Sequence, residues 1–136
     1  MRALTLAAVV ALVVPFSAAS AHSVAASYAF GLVGGNIRPF TITISPTGAV
    51  AVDGPAHPAK TTIGAAGLAH LREVVAAQKF FALPTSTICP KTLPDFASHF
   101  VTVHMAGTSR RVVVRGDCSR RLSAVYAALV RAVGLS

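Results

Sequence analysis

The chain has 136 residues, 54% of them hydrophobic, and its 12 Lys and Arg against 4 Asp and Glu give a net charge of +8. This length favours one domain over a multidomain enzyme, and the apolar content excludes an intrinsically disordered chain. Two cysteines are too few for a small scaffold held together by several disulfides.

The first 21 residues have the pattern of a secretory signal peptide. Arg2 supplies a positive charge, Ala3 to Val14 form an uncharged apolar run, and Pro15 ends it. The run of about 12 residues is shorter than the roughly 20 that a membrane span needs. Small residues at Ala19-Ser20-Ala21 then predict cleavage before His22. We therefore expect a secreted, periplasmic or cell-envelope protein, not transmembrane after cleavage, with a single mature domain over residues 22–136 and a net charge of +7.

Both cysteines, Cys89 and Cys118, lie in the predicted mature chain. An oxidising compartment allows a disulfide to persist, and two cysteines allow one pairing within the chain. A metal site would need a CxxC pair or a histidine at short spacing, and neither occurs. The sequence therefore predicts a structural disulfide between them.

The first half of the mature chain predicts a three-stranded meander and then a helix. Apolar residues two apart predict strands, because such side chains share a face. Apolar residues three and four apart predict an amphipathic helix, and Pro84 limits how far it can extend. The expected elements are strands at 26–33, 40–45 and 49–52, a loop at 54–62 and a helix at 65–78.

The second half predicts an irregular loop at 85–97, a hairpin and a final helix. The hairpin has strands at 99–105 and 110–115 around a turn at 106–109, and the helix covers 120–133. Asp117 or Ser119 is the expected N-cap, and Gly134 the C-terminal stop. The fold class is therefore α+β, an antiparallel sheet in β-β-β-α-β-β-α order with two helices packed on one face.

Several turn and core positions resemble emfourin-type small protease-inhibitor domains and related secreted α+β domains. They are Gly34-Gly35 before Ile37-Arg38, Gly48, the leucine helix running into Phe80-Phe81-Ala82-Leu83-Pro84, and Leu93-Pro94-Asp95. The resemblance covers about Tyr28 to Val133 and implies a domain that plugs a metalloprotease cleft. The leader and the disulfide depart from that pattern, and no inhibitory residue can be matched.

A group of arginines is the clearest indication of a charged ligand. They surround the second hairpin and the start of the last helix, where guanidinium groups and free backbone N–H groups could bind an anion together. The alternative is a solvated basic face that only aids solubility. The predicted anion-binding residues are Arg110, Arg111, Arg115, Arg120 and Arg121.

The remaining patterns for metal binding and catalysis are weak. Cleavage would expose the amine and imidazole of His22, a copper-chelating pair, although a disordered tail is the alternative. A second ligand would have to come from His57, His70, His99 or His104, and strand alternation places the last two on opposite faces. Nucleophile, phosphate-loop and paired-carboxylate motifs are missing from the sequence. We therefore expect no enzyme activity and no cofactor.

These observations predict an exported binding or inhibitory module that acts by surface recognition, as a protease inhibitor does. Its partner would be an unidentified protein or an anionic envelope component, without specific nucleic-acid binding. Two alternatives remain open: binding of an anion or envelope polymer by the arginines, and a structural envelope protein. Binding that weakens with salt would indicate the anion, whereas shape-driven inhibition would not depend on salt.

Overall fold

The computed structural model describes residues 24–136, so the predicted signal peptide and His22 lie outside the described residues. This part of the chain is an α+β fold with a six-stranded sheet. A 3-10 turn at Phe80–Ala82 follows the first helix. The elements are β1 (Ala26–Val33), β2 (Phe40–Ile44), β3 (Val50–Asp53), α1 (Ala65–Ala77), β4 (Ser86–Ile88), β5 (Ser98–Met105), β6 (Thr108–Arg115) and α2 (Arg120–Val133).

The predicted three-stranded meander and the predicted hairpin join through β1 and β5, giving the spatial order β3-β2-β1-β5-β6-β4. β1 pairs along its whole length with β5, from Ala26 opposite Met105 to Val33 opposite Ser98. The β5–β6 turn is wrong in the sequence prediction, because only Ala106 and Gly107 lie between the paired residues Met105 and Thr108. Both turn residues have positive φ, which matches the right-handed twist of a two-residue hairpin.

The sheet is mixed rather than fully antiparallel, and the predicted β-β-β-α-β-β-α order lacks one strand. β4 lies in the segment predicted as an irregular loop and pairs in parallel with β6, with Thr87 opposite Val114. Three residues are too few to show an alternating pattern, so this strand can be identified only from its pairing with β6. The observed order is therefore β-β-β-α-β-β-β-α.

One face of the sheet packs against both helices and forms a single hydrophobic core. Phe30, Ile42 and Val101 are fully buried on this face, which we call the inner face. They contact a helical layer in which Leu71 of α1 and Leu129 of α2 are also buried. Alternation along each strand places the side chains of Ser27, Thr43, Phe100, Arg111 and Arg115 on the outer face, which neither helix covers.

The helix termini differ in how well local sequence explains them. The Ser119 hydroxyl accepts a hydrogen bond from the backbone N–H of Leu122 at 3.3 Å, so Ser119 is the N-cap of α2. Gly134 ends α2 in the left-handed region at φ 66°, where glycine carries no Cβ penalty. α1 ends instead at Ala77 with Gln78 as its C-cap, and the left-handed residue that follows is Lys79, at φ 47°. A lysine there is strained, so this terminus needs support from elsewhere in the fold.

Candidate functional site

Two of the five arginines in the predicted anion site donate to backbone carbonyls in residues 78–83, the segment that follows α1. Arg121 donates from Nε to the carbonyl oxygen of Gln78 and from Nη2 to that of Lys79, both at 2.7 Å. Arg110 donates from Nε at 2.9 Å and also from Nη2 to the carbonyl oxygen of Leu83. Arg121 compensates the partial negative charge at the C-terminus of α1. Both arginines therefore use much of their donor capacity inside the fold.

The other three arginines lie apart from this pair. The guanidinium carbon of Arg111 lies 4.0 Å from the ring centroid of Phe100 on the outer face, a cation–π contact. Arg115 donates from Nη1 to the carbonyl oxygen of Pro94 at 3.3 Å. Arg120 is exposed in the first turn of α2. The five guanidinium groups are therefore distributed over both faces of the sheet rather than gathered at one point.

Cys89 and Cys118 form the predicted disulfide, with their Cα atoms 5.6 Å apart. It links the end of β4 to the segment just before α2. Gly116 approaches it so closely that an added Cβ would lie 2.7 Å from the Cβ of Cys89. The bond anchors residues 89–97, which we call the disulfide loop.

Hydrogen bonds hold the disulfide loop at three further points. The hydroxyl of Thr92 donates to the carbonyl oxygen of Cys89 at 2.7 Å. The backbone N–H of Asn36, in the β1–β2 connection, donates to the carbonyl oxygen of Asp95 at 3.1 Å. The bond from Arg115 to Pro94 provides the third. Although irregular, the loop is therefore fixed to both neighbouring segments.

Exposed apolar side chains concentrate around this loop. Among residues 24–136, six large hydrophobic side chains are exposed, and four of them lie at the disulfide end of the sheet. This is the end where β1, β3, β4 and β6 finish and β2 and β5 begin. The four are Ile88 at 63%, Leu93 at 56%, Phe96 at 52% and Ile37 at 41% exposure.

A cleft of about 400 Å³ opens at the same end, between the start of β5 and the first turns of α2. Val114 and Leu122 contribute apolar side chains to its lining. Its polar groups come from His99, Asp117, Ser119, Ser123 and Tyr126. Clefts of this size with a few converging polar groups are suited to small molecules or single side chains.

Burial shifts the titration of two residues in the cleft. Burial lowers the pKa of His99 below its usual value of 6.5, and the Asp117 carboxylate acts in the opposite direction. Burial also raises the pKa of Tyr126 to about 12. The two rings meet edge to face, with centroids 4.8 Å apart. At neutral pH the cleft therefore contains a neutral imidazole and a protonated phenol.

The histidines do not assemble a metal site in the described residues. His99 lies on the inner face and His104 on the outer face, as strand alternation predicts. Across residues 24–136 there is no group of three His, Cys, Asp or Glu side chains that could hold a metal ion. The copper-binding hypothesis depends on His22, which lies outside this range.

Sequence reasoning missed Ser123 and Tyr126 as cleft residues and treated Asp117 only as a helix cap. No motif marks these residues, since they meet His99 only through the packing of α2 on the sheet. Within the described part of the chain, no helix is long and apolar enough to cross a membrane.

Comparison with models of protein families, with curated proteins and with solved structures finds no match. The resemblance to emfourin-type inhibitors therefore depends only on the residues quoted for it above.

Proposed function

We propose that this protein is an exported binding module that recognises another protein through its disulfide loop. The observation that carries the proposal is the position of Leu93 and Phe96. Both are apolar and more than half exposed, on a loop fixed by a disulfide. Exposing apolar surface to water is unfavourable in free energy, and exposed apolar patches commonly mark interaction sites.

The anchoring of the loop favours tight binding. A loop that is already ordered loses little conformational entropy when it docks, so more of the contact energy contributes to affinity. Here the Cys89–Cys118 bond and the contacts of Asp95 and Pro94 supply that order. Export is part of the proposal, because the disulfide is stable in an oxidising compartment.

The proposed occupant is a concave apolar cleft on an exported protein. Leu93 and Phe96 would fill the cleft, as exposed apolar anchors do in many interfaces. Arg38 lies beside Ile37, and both Lys91 and Asp95 lie within the disulfide loop, so the rim of the surface carries charges of both signs. A metalloprotease cleft is the occupant that the emfourin resemblance implies.

Loop variants test this function. The mature protein, a Leu93→Ser/Phe96→Ser variant and a Val52→Ser control would be assayed as inhibitors of a panel of secreted zinc endopeptidases. They would also be used to capture partners from the culture medium and envelope of the source organism. Val52 is an exposed apolar residue on β3, at the opposite edge of the sheet from β4, so the control removes similar surface.

Binding or inhibition by the wild type and the Val52→Ser control, lost in the loop variant, would support the proposal. Binding that survives in the loop variant would contradict it. Moderate salt is expected to leave the affinity largely unchanged, because apolar contacts are not screened.

An anionic envelope component is the second candidate partner, favoured by the exposure of Arg111 and Arg120. Two positive groups would bind such a polymer mainly by electrostatics, with an affinity that falls as salt rises. Arg111→Ala/Arg120→Ala is the informative variant, because neither residue donates a hydrogen bond to a backbone carbonyl within residues 24–136. Unchanged binding to anionic polymers in this variant would exclude the candidate.

A further inference from the structure

We propose that the cleft between β5 and α2 binds one neutral sugar ring, a pyranose with free vicinal hydroxyl groups. This inference goes beyond the proposed function, because it concerns a small ligand at a site separate from Leu93 and Phe96. At about 400 Å³, the cleft has the size of a ligand site. Its lining combines an aromatic ring, apolar side chains and hydrogen-bonding groups, which are the contacts that a sugar ring needs.

Two neighbouring strands and one side of α2 form the cleft. His99 of β5 lies opposite Val114 of β6, so the two residues are neighbours on the inner face. Ser119, Ser123 and Tyr126 follow one another at intervals of four and three residues, which places them on the same side of the helix. Because regular elements position all of these groups, their arrangement is fixed before a ligand arrives, and little entropy is lost on binding.

Most hydrogen-bonding groups of the cleft are available to a ligand. Within residues 24–136, the side chains of His99 and Tyr126 make no hydrogen bond. The hydroxyl of Ser123 donates to Oδ1 of Asp117 at a long 3.5 Å, and Oδ2 has no partner in the same range. A neutral imidazole and a phenol each donate and accept, and a carboxylate accepts. Sugar hydroxyls also donate and accept, so they can pair with each of these groups.

The charges at the cleft disfavour an ionic ligand. Among the described residues of the lining, Asp117 is the one that is charged at neutral pH, since burial keeps His99 neutral. The carboxylate would repel an anion, whereas the net charge of +8 on the chain opposes a cation. A neutral ligand avoids both penalties, and its hydroxyl groups can still donate strong hydrogen bonds to the carboxylate.

The ring of Tyr126 supplies the aromatic contact. The C–H groups on one face of a pyranose are weakly positive, and an aromatic face is weakly negative, so the two attract each other. Edge-to-face contacts hold the Tyr126 ring on two sides, with centroids 5.6 Å from Phe30 and 4.8 Å from His99. Val114 and Leu122 add apolar surface beside it.

NMR titration of ¹⁵N-labelled residues 22–136 tests the inference. The probes are the methyl pyranosides of glucose, galactose, mannose and N-acetylglucosamine, and neutral oligosaccharides of the same sugars. At least one glycoside is expected to bind with a dissociation constant of about 1–10 mM, because one ring makes few contacts. The shifted signals should belong to residue 99 and residues 116–127, and salt should leave the affinity unchanged. Oligosaccharides that bind more tightly than the single ring would indicate a glycan as the source, and equal affinity a free sugar.

Variants of two acidic residues separate the site from general charge effects. Asp117→Asn keeps the side-chain shape and should weaken sugar binding about tenfold, because a charged acceptor is lost. Asp53→Asn is the matched control, since it removes the same charge from an exposed residue on β3 and should leave binding unchanged. Tyr126→Phe keeps the ring, removes the hydroxyl and should weaken binding about threefold.

Equal losses in Asp117→Asn and Asp53→Asn, or shifts confined to residues outside the cleft, would overturn the inference. The same conclusion would follow if none of these sugars gave saturable binding up to about 50 mM, well above the expected dissociation constant. Acetate or butylammonium binding at these residues more tightly than every glycoside would also overturn it. The Leu93→Ser/Phe96→Ser variant should bind the sugar as the wild type does, so sugar binding and protein recognition can each fail without the other.

Discussion

Removing the disulfide should cost this protein a large part of its stability. Cys89 and Cys118 are 29 residues apart. In the chain-entropy model, closing a loop of that size removes about 12 cal/mol/K from the unfolded chain, so the bond contributes about 3.6 kcal/mol at 25 °C. Small domains have a free energy of unfolding of about 5–15 kcal/mol, so this is a substantial fraction.

The assay is urea unfolding of residues 22–136, oxidised and with reductant, beside a Cys89→Ser/Cys118→Ser variant. For a urea slope of about 1.5 kcal/mol/M, the loss of 3.6 kcal/mol lowers the midpoint by about 2.4 M. The double variant should match the reduced wild type, because both lack the crosslink. A loss below about 1 kcal/mol would refute the reasoning, since it would mean that the crosslink constrains the unfolded chain little.

Three further changes probe the packing around the helices. Arg121→Ala should lower the free energy of unfolding by about 1–3 kcal/mol, because the carbonyls of Gln78 and Lys79 lose charged donors. Arg121→Lys should retain only part of the lost stability in the same denaturation assay, because an ammonium group lacks the two-pronged geometry of guanidinium. Wild-type stability in Arg121→Lys would contradict a role in which one guanidinium bridges two carbonyls. The free energy of unfolding should fall as the pH drops below 6.5, because His99 in the unfolded chain is protonated at a higher pH than His99 in the folded protein, whose pKa is lowered. An NMR titration of the folded protein that gives His99 a pKa at or above 6.5 would contradict this prediction. Tyr28→Phe should be neutral or stabilise by about 1 kcal/mol, because the buried hydroxyl has no hydrogen-bond partner within residues 24–136, and a loss above about 1 kcal/mol would reveal an overlooked partner.

The local sequence pattern was sufficient to predict the helices and strands that have strong periodicity and clear residues at their ends. The bounds of α2 agree with the prediction, because its apolar stripe lies between a serine cap and Gly134. β1 also agrees, since alternation over eight residues identifies a strand without any knowledge of its partners. The disulfide pairing followed from there being only two cysteines.

The candidate site was only partly accessible from sequence. The arginines were visible as a charge cluster, but hydrogen bonding to distant carbonyls determines what each one does. Arg121 reaches Gln78 and Lys79 across more than 40 positions of the chain, and no local pattern reports such a contact. The exposure of Leu93 and Phe96 was also hidden, because apolar residues in a loop can equally be buried.

The amino-acid sequence by itself determined the α+β class, the periodic elements and the single crosslink, because these depend on residues near one another or on a unique pairing. Tertiary structure alone decided the parallel pairing of β4, the support of α1 by Arg121 and the cleft around His99 and Tyr126. Each of these depends on backbone or side-chain groups that meet only after the helices pack on the sheet.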